Sequence, residues 1–311
     1  MVKIISGIIL GLLVIACPIL YFTVGPALTP VQKDTGLILL IITASSALYC
    51  FVVGEIAHNN SQMDKLWSLL PIAYTWVIAA KSNMAPRLVI VAILVTLWGI
   101  RLTFNFARKG AYTIKFWSGE EDYRWEVLRK SKMFAPKYRW TLFDLFFISI
   151  YQNIIVLLIC IPALAALGSN KPLNYIDYIA TGLAAFFLII EIVADEQQYK
   201  FQTTKWKMIK NGQKLEELPF PYNKGFNTIG LWNYARHPNY LGEQAFWVSI
   251  YLFSVSAGVG FFNWSALGAL LLILLFIGSS TFAEMISSSK YPEYKNYLHK
   301  VSCFIPWKPY R

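Results

Sequence analysis

A chain of 311 residues that is 56% hydrophobic and only 14% charged falls outside the usual range of soluble domains, which carry about 25% charged residues. Its net charge of +11 would suit a nucleic-acid binder, but Lys and Arg also collect in the loops on one side of membrane proteins, which is explanation enough. Composition sets aside a soluble enzyme and a nucleic-acid module, and predicts an all-α, multi-pass bundle of 7–8 spans.

Apolar runs of about 20 residues, enough to cross a hydrocarbon core of about 30 Å, lie near 4–25, 35–55, 66–80, 87–107, 142–167, 175–195, 240–260 and 264–284. The first follows Lys3 as a signal peptide would, but it contains Pro18, runs on to Pro26 and lacks a small-residue cleavage site, which predicts a retained helix. The third is short and carries Pro71, so it is expected to be tilted, broken or re-entrant.

If all eight runs cross, Lys3, Lys65, the nine basic residues from Arg108 to Arg139, the seven from Lys200 to Arg236 and the five from Lys290 to Arg311 share one side. Only Lys33, Lys81, Arg87 and Lys171 face the other. This bias places both termini and the long loops in the cytoplasm, with the chain in the endoplasmic reticulum of a eukaryote or the inner membrane of a bacterium. The chain reads as a single integral membrane domain: four spans in 1–107, a cytoplasmic amphipathic loop over 108–141, and a C-terminal region over 142–311. Cys17, Cys50, Cys160 and Cys303 are scattered and lack a CxxC pattern, which predicts buried thiols.

Several clusters could carry chemistry. Glu55, His58, Asn60, Asp64 and Trp67 surround the entry to the third run, either as substrate contacts or as a hydrophilic loop in which Asp64 caps a helix and Trp67 marks the interface. Arg101 lies inside the fourth run with Trp98 and Asn105 a turn to either side, facing a cavity or snorkelling to the nearby loop. The loop 108–141 suits a surface helix, and Arg124 between Tyr123 and Trp125 is its candidate phosphate ligand. Glu191, Asp195 and Gln198 share a face at the end of the sixth run, to hold ribose hydroxyls or to pair with Arg236.

The densest stretch runs from Trp232 to Glu243, where Pro238 opens a helix whose free amides, with Arg236 and His237, would attract an anionic cofactor group. Tyr234, Asn239 and Tyr240 stand beside them, and the tail around Tyr291 has the length to fold back and close the pocket. No Gly-rich dinucleotide fingerprint, P-loop, HExxH or GxSxG is present. Three distant histidines, His58, His237 and His299, predict no metal site.

The segment Gly230-Leu231-Trp232-Asn233-Tyr234-Ala235-Arg236-His237-Pro238-Asn239-Tyr240-Leu241-Gly242-Glu243, with the tail Lys290-Tyr291-Pro292-Glu293-Tyr294 through Phe304-Ile305-Pro306-Trp307, resembles the C-terminal domain of the steroid 5-alpha-reductase superfamily. Asp64-x-x-Trp67-Ser68-x-x-Pro71, Glu121-Asp122-Tyr123-Arg124-Trp125 and Ala194-Asp195-Glu196-Gln197-Gln198 are similar to its large, mostly uncharacterised multi-pass branch. Related Arg-His-Pro-x-Tyr-x-Gly patterns occur in isoprenylcysteine carboxyl methyltransferases and sterol reductases, so the scaffold alone does not choose a reaction. The resemblance implies that Asn239 contacts the cofactor, that Glu243 lies where cofactor meets substrate, that Asp195 holds the adenosine half of NADPH, and that Glu55 stands near a substrate carbonyl. Glu191, Tyr199 and Gln202 replace an Asn and two Arg of the steroid reductases, leaving Arg124, Lys200, Lys205 and Arg236 as candidate substitutes.

The leading expectation is a membrane-embedded, NADPH-dependent reductase of an activated carbon–carbon double bond in a lipid or steroid-like substrate. Glu243 or Glu55, or alternatively Tyr74 or Tyr240, would donate a hydrogen bond to the substrate carbonyl. Cofactor contacts are expected from Arg124, Glu191, Asp195, Gln198, Lys200, Tyr234, Arg236, His237, Asn239 and Tyr291, and substrate contacts from Asp64, Trp67 and Arg101. One alternative is an S-adenosylmethionine-dependent methyltransferase in which Arg236 and His237 hold the cofactor carboxylate; another is a non-catalytic lipid-binding protein of the same fold.

Overall fold

The computed structural model describes residues 27–310, so the expected first span and Cys17 lie outside the described residues. The described chain is helical, with no strand among the described residues beyond one isolated bridge between Ala235 and Ser302. Its helices are α1 (Pro30–Ala57), α2 (Gln62–Trp67), α3 (Leu70–Lys81), α4 (Pro86–Ala107), α5 (Tyr123–Arg129), α6 (Lys137–Phe143), α7 (Gln152–Ala166), α8 (Tyr175–Lys210), α9 (Pro238–Ser256), α10 (Leu267–Lys290) and α11 (Tyr294–Lys300). Among the described residues, five helical stretches are long and apolar enough to cross a bilayer: Pro30–Ala57, Pro86–Ala107, Lys137–Ala166, Tyr175–Lys210 and Trp264–Lys290. The chain is an integral, multi-pass membrane protein.

Of the remaining expected spans, the third breaks at Ser68 and Leu69, where Pro71 sits in the first turn of a 12-residue α3. At 1.5 Å per residue that helix reaches roughly 18 Å, short of the hydrocarbon core. The seventh is α9, whose first turns carry Asn239, Tyr240, Glu243 and Gln244. The run expected over 175–195 continues as helix to Lys210, because Glu196-Gln197-Gln198 and the lysines beyond are good helix formers that add no hydropathy.

The chain divides into two compact units: residues up to Thr181 with Ser249–Leu271, and Gly182–Val248 with Leu272–Arg311. In the first, Thr29 and Gln32 form a capping box that starts α1, and His58 ends it in the left-handed conformation at φ 50°. Leu39, Tyr74, Ile78, Val95, Trp98 and Cys160 are fully buried in this unit. Gly99 allows α4 to close on α3, since a Cβ there would lie 2.5 Å from the Ser68 carbonyl oxygen. Residues Asp144–Tyr151 form a π-helical stretch, along which Phe143, Phe147 and Tyr151 stack with centroids 4.9 and 5.4 Å apart. The buried Arg87 Nε donates to Asp177 Oδ1 at 2.8 Å and to Ser256 Oγ at 3.0 Å, joining α4 to the start of α8.

In the second unit, Phe226, Tyr294, Tyr297 and Val301 form a small core beneath the C-terminal tail. Lys205 is buried and donates to the Gly225 carbonyl at 2.7 Å and to Tyr291 Oη at 3.2 Å. The rings of Phe201, Trp206 and Tyr291 surround its ammonium at 5.2–5.6 Å.

Candidate functional site

The first unit gathers the polar loop residues into a knot. Asp122 caps α5 and is gripped by Arg124, whose Nε and Nη2 donate to its two oxygens at 2.8 and 2.9 Å. Burial raises the Asp122 carboxyl, but this ion pair outweighs it and holds the group below the usual range. Trp125 Nε1 donates to Asp64 Oδ2 at 2.9 Å, and burial, then the charge of Asp122, pushes the Asp64 carboxyl up. Arg129 Nη2 donates to Glu121 Oε1 and Asn60 Oδ1, both at 2.8 Å, while Glu121 Oε1 also accepts from the Asn60 amide. Lys65 is buried and donates to the carbonyls of Phe116 and Ser118 at 2.7 Å; burial pushes its ammonium down.

Arg124, expected as a phosphate ligand, is thus bidentate to its own helix cap. Glu55 accepts from Thr141 Oγ1 at 3.4 Å, Trp67 and Arg101 are half-buried, and Tyr74 is fully buried with its hydroxyl 2.9 Å from Thr43.

In the second unit the Trp232–Glu243 motif separates into two parts with different tasks. Arg236 and His237 clasp the tail. Their backbone amides donate to the carbonyls of Ser302 and Cys303 at 3.0 Å. Arg236 Nε meets Glu284 Oε1 at 2.6 Å, and its Nη1 donates to the carbonyls of Leu298 and Val301. His237 Nε2 lies 3.0 Å from the same Glu284 oxygen, and its ring stacks on Tyr240 at 5.0 Å. Burial works against the Arg236 charge, but the hydrogen bond and charge of Glu284 hold its pKa above the usual value. The expected pairing of Arg236 with the sixth-run carboxylates is thereby corrected: its carboxylate is Glu284, 48 residues further along the chain. Tyr234 is exposed, and Tyr291 is engaged by Lys205.

One turn on, the chemistry differs. Asn239 Nδ2 donates to Asp195 Oδ1 at 3.2 Å, bringing the predicted pair together across α8 and α9. The other end of that amide, Asn239 Oδ1, is buried without a hydrogen-bond partner, and so is Gln198 Oε1. Glu191 is fully buried under Gly242, where a Cβ would sit 2.5 Å from Glu191 Cγ. Only glycine permits that approach. Glu243, four residues after Asn239 and 6% exposed, accepts from Trp247 Nε1 at 3.2 Å. Lys200 is exposed beside Glu196 at 3.6 Å.

Residues 50–301 match a family described as a protein of unknown function, DUF1295. The chain belongs to the DUF1295 family. An uncharacterized protein of Schizosaccharomyces pombe is 36% identical over 277 residues, covering 83% of this chain and 78% of that protein. No solved structure matches.

The structure of this DUF1295 member also exposes groups that the sequence did not single out. Asp144 is fully buried and accepts from Ser149 Oγ at 3.3 Å, while its Oδ2 has no partner. A carboxylate two residues into the predicted run 142–167 was the available signal. Gln197, which accepts from the Leu231 amide, stood in the Ala194–Gln198 motif without a role, and Trp247, which donates to Glu243, carried no signal, since a Trp in a helix is ordinary.

Proposed function

We propose that this DUF1295 protein is a membrane-embedded oxidoreductase that reduces an activated carbon–carbon double bond in a lipid or steroid-like substrate, with NADPH as reductant. The resemblance to the steroid 5-alpha-reductase superfamily supports this reading, and one observation carries it. Asn239 is anchored through its amide by Asp195 while its carbonyl oxygen is buried and unsatisfied. An acceptor left in that state is costly unless a donor arrives, and the amide and amino groups of a nicotinamide dinucleotide are such donors. Gln198 Oε1, also unsatisfied and on the helix that carries Asp195, offers a second acceptor.

The residues present fit the neutral hydrogen-bonding groups of the cofactor better than its 2′-phosphate. Arg236 is tied to Glu284 and Lys200 is exposed beside Glu196. Asp195 and Asn239 would hold the cofactor, with Gln198 beside them. Bound, it supplies the hydride for the β carbon of the enone. Glu243, which accepts from Trp247 Nε1, would hold the proton that passes to the substrate and polarise its carbonyl. Tyr240, packed between His237 and Phe276, shapes the same end of α9.

The lysine and arginine bias supports the loops 108–141 and 196–239 and the C-terminal tail on the cytoplasmic side, and a lipid substrate would enter sideways from the bilayer. Calorimetric titration of the purified full chain with NADPH, NADH and S-adenosylmethionine tests the class. Saturable binding of NADPH or NADH, with turnover when an enone lipid is added, is expected. Binding of S-adenosylmethionine alone replaces the reading with methyl transfer. Binding of none of the three overturns it.

A further inference from the structure

We infer that the cleft formed by Phe220, Lys224, Thr228, Asn233 and Tyr310 in the second unit is a second binding site, for a flat molecule bearing an oxyanion, with the chemistry of a nucleoside monophosphate. None of these residues belongs to the Asp195–Asn239 face, and the inference does not rest on the reading of that face.

The cleft is open to solvent and has a volume of about 420 Å³, within the range of small-molecule sites. Its polar lining consists of one cation and neutral side chains, with no acidic residue among them. Lys224 is the cation, its Nζ 4.6 Å from the centre of the Tyr310 ring and 5.5 Å from that of Phe220. The two aromatic rings therefore flank a positive charge, an arrangement that meets an anionic group at the ammonium and leaves the exposed part of Phe220, which is 64% exposed, for a flat ring.

Thr228 supplies the decisive observation. It lines the cleft, is 4% exposed, and its buried hydroxyl has no hydrogen-bond partner. A buried hydroxyl in that state is costly, and an oxyanion in the cleft would satisfy it. Its neighbour Asn227, 3% exposed, accepts from the Ile229 amide through Oδ1 at 3.1 Å, which fixes the turn that carries Thr228.

The Tyr310 wall and the turn at Gly230 are held before any ligand arrives. The Tyr310 amide donates to the backbone and side-chain oxygens of Asn233 at 2.8 and 3.0 Å, which pins the aromatic wall. Gly230, at φ +62°, lies so close to α8 that a Cβ would sit 2.5 Å from the Gln197 amide group, and the Leu231 amide donates to that same group at 2.9 Å. Donors, one cation and flat walls select an organic phosphate, whether a free nucleotide or a phosphorylated lipid headgroup.

The test titrates the full chain in detergent with AMP, adenosine and inorganic phosphate, and repeats it in nanodiscs of phosphatidylcholine with or without phosphatidic acid. AMP should bind saturably and more tightly than adenosine or phosphate alone. Thr228→Val should weaken AMP about tenfold, the loss of one charge-assisted hydrogen bond, with an unchanged melting temperature because that hydroxyl bonds nothing in the free protein. Lys224→Met should abolish the salt dependence of binding, and Lys224→Arg should retain it. Displacement of AMP by phosphatidic acid but not by phosphatidylcholine supports the inference and makes a lipid the natural source. No AMP binding, or equal binding by wild type, Thr228→Val and Lys224→Met, overturns it. Loss of AMP binding in Asn239→Ala also overturns it, because the nucleotide would then be reading the other face.

Discussion

The loop knot of the first unit and the Asp195–Asn239 face of the second are both crowded with charged and amide side chains, yet they differ in what is left over. In the knot, Asp64, Glu121, Asp122, Arg124 and Arg129 each have a partner inside it. On the face, Asn239 Oδ1 and Gln198 Oε1 are buried with no hydrogen-bond partner. Interlocked polar groups hold a shape, whereas a residual acceptor in a dry place marks where a ligand completes the structure. The same distinction divides the motif itself, since Arg236 and His237 act in a clasp while Asn239 retains hydrogen-bonding capacity.

The largest effect should come from breaking an interlocked group. Glu284→Ala leaves Arg236 and His237 without their carboxylate, which costs about 3 kcal/mol, the low end for a buried pair because Arg236 and Glu284 both keep some exposure. Thermal unfolding in detergent should show a larger drop for Glu284→Ala than for Asp122→Ala or Asn239→Ala. A melting temperature equal to wild type would mean that the clasp is not structural and would make Arg236 a candidate cofactor ligand again.

The knot should behave in the same way on a smaller scale. Asp122→Ala removes both the α5 cap and the Arg124 pair, with an expected loss of about 1.5–3 kcal/mol. NADPH affinity should stay within about twofold of wild type. A large loss of affinity at constant stability would show that Arg124 touches the cofactor after all.

The face should respond in the opposite sense. Asn239→Ala is expected to lower NADPH affinity at least tenfold, about 1.4 kcal/mol, while changing stability by no more than about 1 kcal/mol, the net worth of its one bond to Asp195. Stability loss without loss of affinity would reduce Asn239 to a helix–helix contact.

The fold was legible where hydropathy and length agree, as in α1, α4, the stretch from Lys137 to Ala166, and α10. Pro71 announced the break before α3, though not its place at Ser68 and Leu69. The juxtaposition of Asp195 and Asn239 was legible through the resemblance, because both belong to its motifs. Partner choice was not: nothing local distinguishes an arginine that grips an Asp two residues back, as Arg124 does, from one that reaches Glu284, as Arg236 does. The Lys224–Thr228–Tyr310 cleft was invisible for the same reason, since its walls come from segments about 80 residues apart and, of its lining, only Gly230 and Asn233 belong to a motif.

The smallest prediction concerns Cys303, whose thiol faces Glu284 Oε1 at 3.8 Å and so reports whether the clasp is closed. Burial, reinforced by the Glu284 charge, pushes this thiol up. An acid whose folded pKa lies above its unfolded value contributes stability that is complete below the unfolded pKa, about 8.5 for a thiol, and is lost as pH rises towards the folded value. Raising the pH from about 7 to about 9.5 should therefore lower the melting temperature of wild type slightly more than that of Cys303→Ser. Near pH 8, iodoacetamide should label the Cys303 peptide more slowly than a free thiol, as read by mass spectrometry, and Glu284→Ala should speed labelling both by opening the clasp and by removing the charge that raises the thiol. Labelling at the free-thiol rate in wild type would mean that the clasp opens in solution, and the division between an interlocked and an unsatisfied half of the motif would fail with it.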